Sequence, residues 1–157
     1  RSEVFADARA SRPQPAGTIA HGLPWQDLPR FTGRLPGRTN LVETNPLPIT
    51  AALLARGQER FTIHCRPCHG AQADGNGITR KIAAMGVVAN LHDPRIAAMP
   101  DGELFQTISQ GKNLMGSYAG QIPADDRWAI IAYLRALQLS KLGTMDEVPA
   151  ELRNKLK

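Results

Sequence analysis

The two cysteines of this chain stand three positions apart, in Cys65-Arg66-Pro67-Cys68, and His69 follows at once. That placement limits the fold more than any other feature. A disulfide across so short a loop would remove little entropy from the unfolded chain, because the gain grows with loop length. The core must then be held by packing, and the cysteine pair reads as chemistry. C-x-x-C-H is the pattern of a c-type haem attachment site. Two thiols on one turn of backbone can reach two vinyl groups of the same porphyrin and form thioethers. The next residue presents an imidazole to the iron from one face, and Gly70 lets the chain turn away.

Two other readings of the motif compete. A structural zinc site needs four ligands. His64, Cys65, Cys68 and His69 are too close together to surround one ion, and the chain has no second C-x-x-C. A dithiol redox pair needs a preceding strand in a βαβ setting. Here a helical pattern precedes the motif, and no segment alternates like a strand.

The helical signals lie between Ile49 and Ser140. Thr50 after Pro48 is placed to cap a helix over Thr50 to Ile63, on which Leu54, Gly57 and Phe61 share a face. A glycine inside a helix costs about 1 kcal/mol against alanine. Gly57 therefore points to close passage of another helix. A second helix is expected over Asp101 to Gln110, with Asp101 as its cap, Leu104, Phe105 and Ile108 as its apolar face, and Gly111 as its end. The third starts near Pro123 and runs to Ser140, with Asp125 and Asp126 in the first turn, where the helix dipole favours negative charge. Trp128, Ile131, Ala132, Arg135 and Leu139 share one of its faces and Ile130, Leu134 and Leu137 another, so it should be well buried. Trp128 and Tyr133 read as packing residues. Gly70 to Pro100 reads as loop, with a short helix over Thr79 to Met85 as the exception.

An electron carrier needs a sixth iron ligand that stays bound in both oxidation states, and a methionine sulfur serves while raising the reduction potential. The candidates are Met85, Met99, Met115 and Met145. Met115 lies in the loop Gly111-Lys112-Asn113-Leu114-Met115-Gly116 between the second and third helices, where it can close over the face opposite His69. Met99 abuts Pro100 and a helix start, which suits packing. Met85 suits core or loop filling, and Met145 falls beyond the last helix. His64 reads as a surface residue, and His21 and His92 stand isolated.

Seven of the 12 prolines fall in residues 1–48, interleaved with Gly17, Gly22, Gly33 and Gly37. Proline at that density disfavours helix, so an extended arm with turns is expected. Leu23, Trp25, Leu28, Phe31 and Leu35 are apolar anchors that a plain linker would lack. The net charge of +5 is spread along the chain without a basic block, which argues against nucleic-acid binding. No run approaches 18 apolar residues, so no transmembrane segment is expected, and Arg1 to Ala10 has no apolar run like a signal peptide. Residues 141–157 read as a short polar tail.

Taken in order, Gly57 and Phe61, then Cys65-x-x-Cys68-His69, then Met115, then Trp128 and Tyr133-Leu134 resemble a class I cytochrome c over about Ile49 to Ser140. The resemblance implies an all-α haem domain over 49–140, with one covalent haem c on Cys65 and Cys68, and His69 and Met115 as axial ligands. It also implies first and last helices that cross near a glycine. Relatives usually carry proline after the methionine, where Gly116 stands here. They often use a proline carbonyl to orient the haem histidine, yet no proline lies between His69 and Pro94.

Gly17-Thr18-Ile19-Ala20-His21-Gly22, Arg56-Gly57-Gln58-Glu59-Arg60-Phe61 and the stretch from Asp126 to Gln138 are together similar to the monohaem cytochrome subunit of bacterial alternative complex III. That resemblance implies multihaem cytochrome and iron–sulfur subunits as partners and a place on the periplasmic side of the membrane. It implies an electron carrier within a quinol oxidoreductase, delivering to a soluble acceptor or oxidase, with 1–48 as the docking arm. A freely diffusing shuttle and a haem-based sensor are the alternatives. Arg66, Arg80, Lys81 and Lys112 are the basic residues nearest the motif and the ligand loop, suited to an acidic partner.

Overall fold

The computed structural model describes residue 6, residues 28–82 and residues 87–153. Among these the regular structure is helical: α1 (Pro29–Thr32), α2 (Ala51–His64), α3 (Arg66–His69), α4 (Pro94–Ala97), α5 (Asp101–Gln110), α6 (Ala124–Ser140) and α7 (Ala150–Arg153), with single 3-10 turns at Ile78–Lys81 and Met145–Glu147.

The three long helices are the expected ones, with a different cap at the second of them. Thr50 caps α2, its hydroxyl accepting from the Leu53 amide at 3.1 Å. Pro100 and Pro123, extended and without a side-chain bond, take the cap positions of α5 and α6. Asp101 instead sits in the first turn of α5, where its buried carboxylate accepts from Arg135 at 2.7 Å. A partner 34 residues away in sequence cannot be read from local capping rules, and here it outweighs them. The short helix expected over Thr79 to Met85 is a 3-10 turn at Ile78–Lys81, and residues 83–86 lie outside the described residues.

The core forms where α6 meets α2 and α5. Phe61, Leu104, Phe105, Ile108, Ile122, Trp128, Ile130, Ile131 and Leu134 are buried there. Phe105 stacks on Trp128 with centroids 4.4 Å apart, and Phe61 meets Tyr133 edge-on at 5.5 Å. Leu139, expected on the buried face of α6, is 69% exposed, because it lies on the solvent side of the helix with Ala136 and Ser140. At the crossing of α2 and α6, a Cβ on Gly57 would overlap the Ala129 carbonyl and lie 2.9 Å from Tyr133 Cβ. Glycine lets the two backbones touch. Beside it, the Arg56 guanidinium binds both oxygens of the buried Asp126 carboxylate, at 2.7 and 2.8 Å.

Residues 28–48 lie against these helices. Pro29 opens the single turn of α1, since a first-turn proline forfeits no helical hydrogen bond. The Trp128 indole donates to the Arg30 carbonyl at 2.7 Å, and Asn45 donates to the Trp128 carbonyl at 2.9 Å. Val42 is buried in the core, paired through its backbone with Gly33 and Gly102. Leu23, Trp25 and the Gly17–Gly22 string lie outside the described residues. Among the described residues no helix is long and apolar enough to cross a membrane.

Candidate functional site

The motif is folded by its own backbone. Cys65 ends α2 and begins α3, and its carbonyl accepts from the amides of Cys68 and His69 at 3.1 and 2.8 Å. Pro67 falls in the first turn of α3, where its missing amide proton would have had no helical acceptor. One helical turn thus carries both thiols and the imidazole. Its last carbonyls would be orphans, and the following loop satisfies them. Gly75 donates to the His69 carbonyl at 2.8 Å, Gly77 to Cys68 at 3.1 Å, and the Thr79 hydroxyl to Pro67 at 3.1 Å. A Cβ on Gly77 would overlap the Pro67 and Cys68 carbonyls.

The imidazole has one nitrogen committed. A carbonyl can only accept, so the 3.1 Å contact between His69 Nδ1 and the Ala89 carbonyl places the proton on Nδ1. Burial pulls the His69 pKa down, with the Ala89 bond opposing it. The ring is therefore held neutral, with its lone pair on Nε2, the state in which histidine ligates a metal. Ala89 is the acceptor that the missing proline left open. A backbone carbonyl has no residue-type signature, so no sequence signal could have found it.

Cys65 and Cys68 are both free thiols. Burial, and then the neighbouring Cys68, push the Cys65 thiol up to about 12. A dithiol redox site works through a thiol of depressed pKa, the opposite of the shift at Cys65. Among the described residues no three of His, Cys, Asp and Glu converge where an ion could sit. A zinc site would need such convergence, whereas a haem brings four nitrogen ligands of its own and asks the chain for axial ones.

The Met115 loop closes beside the thiols. Lys112 and Met115 exchange backbone hydrogen bonds at 3.0 Å each, with Asn113 at φ +55° between them. Gly111 ends α5 at φ +82°, where a side chain would be strained. Met115 is partly buried against the core, and Leu114 at the tip is exposed. Tyr118, three residues on, meets the His64 ring edge-on at 6.4 Å. Its phenol is pushed up by burial and then by Cys68 and Cys65, so this loop and the motif share one locality. His64, expected at the surface, is half-buried in that contact. Of the other methionines, Met99 packs against the core and its carbonyl accepts from Arg135, while Met85 lies outside the described residues. His92 donates to the Gln72 carbonyl at 2.6 Å, and His21 lies outside the described residues.

Long helices crossing at a glycine, a C-x-x-C-H turn after the first of them and a methionine loop before the last define an all-α fold of the class I cytochrome c type. The family model described as cytochrome C oxidase, cbb3-type, subunit III matches residues 52–134, more than half of the chain, and the chain belongs to that family. No curated protein sequence matches it. Among solved structures it is similar to the reducing HAO-like protein complex of Kuenenia stuttgartiensis, with 19% identity, a TM-score of 0.47 and coverage of 69% of this chain and 54% of that one. It is also similar to cytochrome CL of Methylophaga aminisulfidivorans MPT, with 24% identity, a TM-score of 0.42 and coverage of 68% and 67%. The chain thus spans about half the length of the first of these. A cytochrome c domain implies covalent haem c and makes the protein a haem electron carrier. The free thiol pair and the neutral imidazole on one turn fit such a group.

Proposed function

We propose that this chain is a single-haem electron carrier working as a subunit of a periplasmic-side membrane assembly. The observation that carries the reading is the turn Cys65–His69, with two free thiols, and a histidine whose Nδ1–H is tied to Ala89. One C-x-x-C-H supports one covalent haem, held by Cys65 and Cys68 and ligated by His69 and Met115. When bound, the haem supplies a one-electron Fe(III)/Fe(II) couple. The chain's residues then supply axial ligands, a dry pocket and a docking surface, with no bond chemistry on a substrate.

The partners that best suit the residue resemblances are the multihaem and iron–sulfur subunits of an alternative complex III quinol oxidoreductase, with electrons passing on to a soluble acceptor or an oxidase. The family match favours a second reading, a cytochrome subunit attached to a terminal oxidase. Native purification separates them. Co-elution with multihaem and iron–sulfur subunits supports the first, and co-elution with a terminal oxidase supports the second. A haem protein eluting alone is a diffusing shuttle. A preparation from haem-ligating cells with no pyridine haemochrome absorbance overturns all three.

A further inference from the structure

Two polar side chains on the last turns of α6 are spent on a loop. Gln138, buried, donates through Nε2 to the Leu91 carbonyl at 2.7 Å and accepts through Oε1 from Arg135 at 2.8 Å. The amide orientation is fixed by its partners, since Leu91 offers only an acceptor and Arg135 only donors. Arg135 in turn donates to the carbonyls of Ala97, at 2.8 Å, and Met99, and to Asp101 at 2.7 Å. On its other side the same stretch of chain is bound to the loop after the motif. The Leu91 amide donates to the Ala73 carbonyl at 2.8 Å. Gly75 packs behind Val88 and Ala89 so closely that a Cβ there would lie 2.8 Å from the Val88 carbonyl oxygen. Ala89, two residues before Leu91, is the residue whose carbonyl accepts from His69 Nδ1.

We propose that Gln138 is a positioning residue: by gripping the Leu91 carbonyl it holds the Ala89 carbonyl on the His69 Nδ1–H and so sets how strongly the imidazole donates to the iron. An imidazole whose N–H is firmly bonded is the more basic ligand, and the more basic ligand favours Fe(III). Releasing the grip weakens that bond, and the reduction potential rises. The need for a donor explains why an apolar helix keeps a buried amide at this position. An unpaired Leu91 carbonyl would cost free energy, so the bond also contributes stability, and the test must separate the two effects.

The inference rests on His69 being the iron ligand, so each haem-loaded protein is first checked by pyridine haemochrome and by its low-spin spectrum. Gln138→Met keeps the length and removes both hydrogen-bonding ends. It is expected to shift the Fe(III)/Fe(II) ratio at fixed ambient potential threefold to tenfold toward Fe(II), tenfold being about 59 mV for one electron. It is also expected to speed hydrogen exchange at the His69 Nδ1–H. Gln138→Asn, which withdraws the donor without adding an apolar group, should move both readouts the same way by less, and it serves if the first variant does not fold. Thr50→Ala removes a helix cap away from this network, and should lower the melting temperature while leaving both readouts in place. Wild-type potential and exchange in a haem-loaded Gln138 variant would overturn the proposal, as would an equal shift in Thr50→Ala. Absence of haem from the wild type would instead overturn the reading beneath it.

Discussion

At the scale of single residues, Met115 carries the largest consequence. Its loop is closed by backbone bonds to Lys112 and by positive φ at Gly111 and Asn113, so the side chain can be removed without removing the loop. Met115→Ala is expected to turn a six-coordinate low-spin spectrum into a five-coordinate one that binds carbon monoxide, and to lower the reduction potential, since the thioether favours Fe(II). An unchanged spectrum would move the sixth ligand elsewhere. Gly116 does not soften this expectation through sterics, because a Cβ there would meet nothing within 4 Å. The residue scale also shows where a sequence stops being readable. Cys65, Cys68 and His69 are legible because their chemistry lies in their side chains and their spacing is local. Ala89 acts through its carbonyl, an atom every residue has, and Gln138 acts through a contact 47 positions away.

Among the elements, the decisive contact is the crossing of α2 and α6 at Gly57. The neighbouring atoms are the Ala129 carbonyl group and Tyr133 Cβ, part of α6 itself, so no rotamer change can admit a methyl group. Gly57→Ala gains about 1 kcal/mol of helix propensity and costs about 3 kcal/mol of overpacking. The expected net loss is a fall of roughly 4–8 °C in the melting temperature of the haem-loaded protein, read by thermal circular dichroism. No loss would mean that the helices can part there without cost. This crossing was legible: a glycine on the apolar face of a good helix asks for a reason, and a second helix is the usual one. Pro94–Ala97 is a helix inside a stretch that reads as loop, although Asp93 before Pro94 is a start signal, with the carboxylate accepting from the Arg95 amide at 2.9 Å. The turn at Pro29 escaped for the opposite reason. Proline breaks a helix in its interior, and in a first turn it starts one.

For the molecule as a whole, two properties decide how it meets a partner: its charge around the site and the attachment of its N-terminal segment. Arg66 and Arg80 are exposed beside the motif, whereas Lys112 is paired with Glu103 at 2.9 Å. If an acidic partner docks here, Arg66→Glu should slow electron transfer several-fold at low ionic strength and much less at high salt, where surface charges are screened. Equal slowing at both would show that the charge does not steer docking. The N-terminal segment calls for a sharper cut than its composition suggested. Val42 is core, Asn45 and Arg30 are hydrogen-bonded to Trp128, and a bidentate Arg30–Asp125 pair ties α1 to α6. Deleting residues 1–48 would expose Trp128 and leave its indole N–H unpaired, so lost assembly in that variant would report a damaged haem domain as readily as a lost arm. Removing residues 1–27 spares every one of these contacts. If the segment is a docking device, that shorter deletion keeps the haem spectrum, reduction potential and melting temperature of the full chain and loses co-purification with the membrane assembly. Retained co-purification would place the docking surface on the helical domain itself, and a fall in melting temperature would show that residues before Leu28 belong to the fold.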